Sequence, residues 1–202
     1  MGSPKLACCN LFPDVRHLRE FALDHEFHGV DWTLKPEDLP SNRSQAEHLI
    51  HTISVLKPLE VRYHLFFKHT DLGHRDSAKS ESAMRTFRSA CRIVSELSGR
   101  FMTVHVGPGR ESWEEVSWEK TVAGLTSLAN LARHSGIRVC LENLATGWTG
   151  NPQLYEELLR STNCRGTLDI GHAQVCHAVQ SKTHDIQDFA LPHPERILNA
   201  HI

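Results

Sequence analysis

Seven short runs of apolar, β-branched and aromatic residues punctuate the chain: Lys5–Cys9, His28–Trp32, Glu60–Phe66, Phe101–Val106, Ile137–Leu141, Gly166–Ile170 and Ile197–Ile202. Their apolar residues are continuous rather than alternating, the pattern expected of strands buried on both faces. Between them, apolar residues step by three or four, as one face of an amphipathic helix does. Ala46, Leu49, Ile53 and Leu56 form one such set, Met84, Phe87, Cys91 and Val94 a second, and Val122, Leu125, Ala129 and Ala132 a third. Ser44-x-x-Glu47 and Ser112-x-x-Glu115 have the spacing of capping boxes at helix starts. Asn151-Pro152 suits an N-cap followed by proline in the first helical position, and Gly136 suits a C-cap after a helix ending near His134.

Alternation of strand and helix predicts an α/β fold with a parallel sheet and crossover helices. That leaves an open doubly wound sheet or a closed (β/α)8 barrel. Successive strands start on average about 32 residues apart, close to the repeat of a barrel of roughly 250 residues. No Gly-x-Gly-x-x-Gly follows the first strand, against a dinucleotide-binding open sheet, and Gly107-Pro108-Gly109 is only a turn after a strand. The seventh run reaches the last residue. The expectation is a (β/α)8 barrel truncated after strand seven, with residues 1–202 forming one domain that lacks the eighth β/α unit.

Composition narrows the function classes. With 202 residues, 40% of them hydrophobic, and a net charge of −2, the chain suits one globular domain. No apolar run is long enough to span a bilayer, and the start, MGSPKLACC, lacks the features of a secretory signal. The six cysteines form no Cys-x-x-Cys pair, so reduced core thiols and a cytoplasmic protein are expected. Nucleic acid is not an expected partner, because no basic run is present. Arg85, Arg88 and Arg92 share one helix stripe, read as a solvated face. Lys68, His69, His74 and Arg75 form a polar loop after strand three, long enough to cap a pocket. Association into a homo-oligomer stays open.

In a parallel barrel, chemistry gathers at the strand C-termini. Here those ends carry His64, His105, Glu142, Asp169 with His172, and His201. His64 or His105 alone reads as a hydrogen-bonded core residue and Asp169 with His172 as a plain Asp–His hydrogen bond, whereas Glu142, deep after VCL, is harder to explain without a partner. Six at successive strand ends, each flanked by apolar residues, converge on one axis and predict a polar site. Mixed imidazole and carboxylate is what a divalent metal needs: nitrogen suits zinc, iron or manganese, and carboxylates neutralise charge. Trp32, Phe66 and Trp148, near strand ends, either wall the substrate pocket or pack barrel against loops.

This ordered set, with its LEN and LDIGH strings, resembles the xylose isomerase-like TIM barrel superfamily, which groups sugar-phosphate isomerases and epimerases with apurinic (AP) endonucleases of family 2. The resemblance runs from strand one to strand seven. For the isomerase branch it implies one divalent ion (Mn, Zn, Co or Mg) held by Glu142, Asp169, His201 and a glutamate on an eighth strand. His172 would contact substrate oxygens, and Glu142 would act as catalytic base on a sugar or sugar phosphate. For the endonuclease branch it implies zinc ligands at His64, His105, Glu142, Asp169, His172 and His201. A cobamide-remodelling hydrolase and a degenerate barrel that binds without catalysis are the remaining readings. The isomerase or epimerase is the expectation adopted.

Overall fold

The computed structural model describes residues 5–10, 12–108 and 113–202. All seven apolar runs are strands: β1 (Ala7–Cys9), β2 (Gly29–Leu34), β3 (Glu60–Leu65), β4 (Phe101–Val104), β5 (Arg138–Glu142), β6 (Arg165–Asp169) and β7 (Ile197–His201). They form one parallel sheet in chain order. Helices α1 (Val15–Asp24), α2 (Arg43–Ser54), α3 (Ser77–Glu96), α4 (Trp118–His134) and α5 (Pro152–Ser161) return the chain between strands. Two short helices, α6 (Ile170–Val175) and α7 (His177–Gln180), lead from β6 towards β7. The chain is a TIM-barrel-like α/β fold of seven strands, with β1 and β7 as the outer strands.

Strands and helices meet through the side chains that point away from the barrel axis. Tyr63, Leu65, Met102, Val104, Val139 and Leu141 are buried with Phe87, Val94, Leu125, Leu128 and Leu158 of the helices in one large cluster. A smaller cluster holds Cys8 and Val30 of β1 and β2 with Leu18, Ala22, Ile53, Leu56 and Leu59. Five cysteines are buried and Cys9 is exposed. Burial pushes the Cys91 and Cys164 thiols up to about 11, so both are inert core groups at neutral pH. Among the described residues, no helix is long and apolar enough to cross a membrane.

The local signals divide. Asn151 caps α5, accepting from the Gln153 and Leu154 amides, with Pro152 in the first position as expected. Gly136 follows α4 at φ 73°, a left-handed turn that glycine adopts at little cost. The cap of α2 is Asn42, not Ser44: its side chain accepts from the Gln45 amide and Ser44 lies inside the first turn. Ser112 and Gly109 lie outside the described residues. No helix begins at Glu115; α4 starts at Trp118, capped by Ser117. The sequence pattern missed α1, whose buried stripe is only Leu18 and Ala22.

Candidate functional site

Alternation along each strand turns one set of residues inward, and at the C-terminal ends that set is polar. Glu142 ends β5 and is 1% exposed. Its Oε2 lies 3.4 Å from His64 Nε2, 3.3 Å from His105 Nε2 and 3.2 Å from His201 Nδ1. Its Oε1 lies 3.5 Å from His172 Nδ1. The structure therefore brings His64, His105, Glu142, His172 and His201 together, and Asp169 joins them, with Oδ2 3.6 Å from His172 Nδ1 and 3.9 Å from His201 Nδ1.

Neighbouring backbone and amide groups place these side chains. Asn143, fully buried, donates from Nδ2 to the Asp169 carbonyl at 2.9 Å and accepts the Asp169 amide on Oδ1 at 2.7 Å. This two-point clamp ties the end of β5 to the end of β6. Asp169 then caps α6, accepting the His172 amide at 2.6 Å. His172 thus stands on a helix turn rather than on strand six itself. Its Nδ1 lies 3.1 Å from the Asn143 carbonyl. A carbonyl only accepts, so Nδ1 carries a proton, and in the neutral imidazole the lone pair is on Nε2.

The electrostatics follow from burial and from the crowd of charges. Burial pushes the Glu142 carboxyl up, but the imidazoles of His105, His172 and His201 outweigh it and hold the group well below the usual carboxylate range. Burial also pulls the His64 imidazole down, partly offset by Glu142. For His172 the Glu142 hydrogen bond dominates and pushes the imidazole up. Burial opposes the charged form of His201, yet Asp31 and Glu142 push it up to about 10.

Among the described residues, three buried atoms of this cluster have no hydrogen-bond partner: Glu142 Oε2, His105 Nδ1 and Asp31 Oδ1. Glu142 Oε2 therefore faces three imidazole nitrogens with no aligned donor. His64 Nε2 and His105 Nε2 are 3.1 Å apart, so at most one of them bears a proton in that contact. Orphaned carboxylate oxygen beside imidazole lone pairs is a donor set that fits a divalent cation. Three groups have ligand atoms within 4.8 Å of one another: His64 with His105 and Glu142, Glu142 with Asp169 and His172, and Asp31 with His64 and His201.

Asp31 is the member that the sequence reading missed. It carries the same signal as Glu142, a carboxylate among apolar strand residues, but sits mid-strand between Val30 and Trp32. The aromatic residues separate. Phe66 borders the cluster, edge-on to His105 with ring centroids 5.8 Å apart. Trp148 meets Trp113 at a tilt of 35°, ring centroids 4.4 Å apart, and Trp118 edge-on at 5.1 Å. Trp32 does not join the site: it has the opposite parity to Asp31, packs with the core, and lines a cavity between β2 and α2. A second opening, about 490 Å³, lies between β1 and β7 and is lined by Cys9, Asp31, Arg62, His64, Asp169 and His201.

A family model described as xylose isomerase-like TIM barrel matches residues 20–202. An uncharacterized protein of Methanocaldococcus jannaschii is 31% identical over 81 residues, 40% of this chain and 36% of that protein's length. Among solved structures, a D-tagatose 3-epimerase-like protein superposes with a TM-score of 0.74 at 18% identity, covering 98% of this chain and 76% of its own. A D-allulose 3-epimerase from Methylomonas sp., in complex with D-allulose, gives a TM-score of 0.74 at 18% identity, covering 100% of this chain and 74% of its own.

Proposed function

Because the chain belongs to the xylose isomerase-like TIM barrel family, we propose that its strand-end cluster is a divalent-metal centre that isomerises or epimerises a sugar or sugar phosphate. The observation that carries this reading is the Glu142 carboxylate, buried to 1% exposure, with Oε2 lacking an aligned donor among three imidazoles. Glu142, Asp169 and His201 would hold the ion, with His64 and His105 set against the same Glu142 oxygen, Oε2, as His201. A divalent ion there supplies polarisation of a carbonyl, which acidifies the neighbouring C–H.

The chain's own groups then have distinct tasks. Glu142, kept ionised, takes the proton as general base. His172, its Nδ1–H committed to the Asn143 carbonyl, presents Nε2 to a substrate oxygen. Phe66 offers an apolar edge beside His105, and Lys68 Nζ lies 5.2 Å from the Phe66 ring centroid, a cation near enough to suit an anionic sugar. The D-allulose bound to one structural relative supports a ketohexose as the first substrate class to try.

The test is proton exchange. In D2O, with Mn²⁺ added, ketohexoses and their phosphates are expected to gain deuterium beside the carbonyl. Glu142→Gln should lower that exchange by about 10²–10⁴-fold while leaving thermal unfolding cooperative. Full exchange in the variant would end the base assignment.

His64 and His105 support a second reading, a zinc hydrolase, since both Nε2 atoms face Glu142. Two or three zinc ions per chain, with cleavage of a phosphodiester and no sugar exchange, would favour it. Arg85, Arg88 and Arg92 lie exposed on α3, the solvated stripe expected, and lend no support to nucleic acid. Absence of any bound divalent ion, with no thermal shift on adding one, would favour a non-catalytic binding barrel.

A further inference from the structure

β2 and β7 are not neighbours in the sheet, yet their side chains touch across the barrel mouth. Asp31 Oδ2 lies 2.7 Å from His201 Nε2. An ionised carboxylate only accepts, so this contact requires the proton on Nε2. A competing contact exists: Asn199 Nδ2 lies 3.2 Å from the same nitrogen. Arg62 decides which way that amide faces. Its Nη1 donates to Asn199 Oδ1 at 3.1 Å, and a guanidinium has no acceptor, so the Asn199 NH2 must point at His201. An amide NH2 and an imidazole N–H cannot bond each other. The shorter, charge-assisted contact prevails, and Asn199 Nδ2 rests against the ring as a packing contact.

With Nε2–H given to Asp31, the lone pair of a neutral His201 sits on Nδ1. That atom lies 3.2 Å from Glu142 Oε2 and 3.9 Å from Asp169 Oδ2, on the side where a cation shared with both carboxylates would be. Asp31 is 8% exposed, and its other oxygen, Oδ1, has no hydrogen-bond partner. Burying a carboxylate this way is unfavourable unless it is compensated, and the 2.7 Å contact to His201 is the hydrogen-bonded ion pair that compensates it.

We propose that Asp31 is a positioning residue that locks His201, with Nε2–H held and Nδ1 directed at Glu142 and Asp169; this rests on the metal-centre reading of the cluster. A histidine ligand is commonly oriented through its second nitrogen in this way, and loss of such a partner typically weakens metal binding 10–100-fold.

The experiment uses the full chain labelled with ¹⁵N-histidine, metal-free and with ¹¹³Cd²⁺ as probe. The expected result is a slowly exchanging Nε2–H on His201 that persists when Cd²⁺ binds, with ¹¹³Cd coupling to Nδ1. Asp31→Ala should abolish that proton signal and weaken Cd²⁺ by about 10–100-fold. Asp31→Asn, which keeps an acceptor oxygen, should retain the signal and most of the affinity. Coupling of ¹¹³Cd to Nε2 would overturn the lock and make Asp31, His64 and His201 a ligand set instead. So would an unchanged signal or affinity in Asp31→Ala. If the parent chain binds no Cd²⁺, the metal-centre reading fails, and loss or survival of the Nε2–H signal in Asp31→Ala still decides the lock.

Discussion

The ends of β5 and β6 and the end of β7 bring side chains to the same point by opposite means. At β5 and β6 the backbone does the positioning. The Tyr155 hydroxyl, fully buried, lies between the Leu141 and Thr167 carbonyls at 3.0 and 3.1 Å. The Asn143 amide clamps both main-chain polar groups of Asp169, and Thr103 and Thr167 share a hydrogen bond at 3.0 Å across the interior. Each strand has a neighbour on both sides. Among the described residues β7 pairs with β6 alone, and their pairing shifts register beside Gly166 and Thr167. Its histidine is oriented by Asp31 and its Asn199 by Arg62, both reaching across from other strands. A ligand fixed by paired backbone tolerates changes around it; one fixed by charged side chains depends on each of them.

Asp169→Asn breaks the comparison most severely. Asparagine also caps helices, so α6 and the clamp persist while one ligand charge is lost. Affinity for Mn²⁺ or Zn²⁺ should fall by about 100-fold or more in a chelator competition, at or above the upper end for loss of an outer-shell partner. Full metal retention would return the cluster to a structural hydrogen-bond network. Tyr155→Phe acts on stability instead. It leaves two buried carbonyls without their shared hydroxyl, and urea unfolding should show a loss of about 1–3 kcal/mol. If metal affinity falls with it by as much as in Asp169→Asn, the β5–β6 side is not the rigid half.

How much of this was legible in the sequence varies with the physics behind each signal. The seven strands were, because burial on both faces leaves continuous apolar runs that turns interrupt. Glu142, Asp169 and His201 stood out because a charge at the end of such a run calls for compensation. Asp31 carries the same conflict, but its strand continues to Leu34, so position along the strand hid it. Trp32 was placed by proximity to a strand end, whereas the facing of its side chain depends on parity, which only register with β3 reveals. His172 looked like a strand residue; the Asp169 cap turns the chain into α6 two residues earlier. The Ser44 cap failed because Asn42 offers a carbonyl oxygen one turn before Gln45, and a single sequence does not rank two adjacent cap candidates.

The smallest expected effect is at Arg62, and it sharpens the contrast between the two sides. Arg62 Nη1 donates to the Leu198 carbonyl and to Asn199 Oδ1, both at 3.1 Å, and its guanidinium carbon lies 4.5 Å from the Phe101 ring centroid. Arg62→Met keeps the apolar stem over Phe101 but removes the fork. Arg62 itself lines the opening between β1 and β7, and the substitution removes two part-buried hydrogen bonds, so stability should fall by about 1 kcal/mol. Metal affinity should fall less than for Asp31→Ala, because Asn199 packs against His201 while Asp31 holds its proton. A loss of stability exceeding that of Tyr155→Phe would mean that Arg62 holds β7 in the barrel rather than tuning one side chain, and the division between a backbone-built side and a side-chain-built side would then fail.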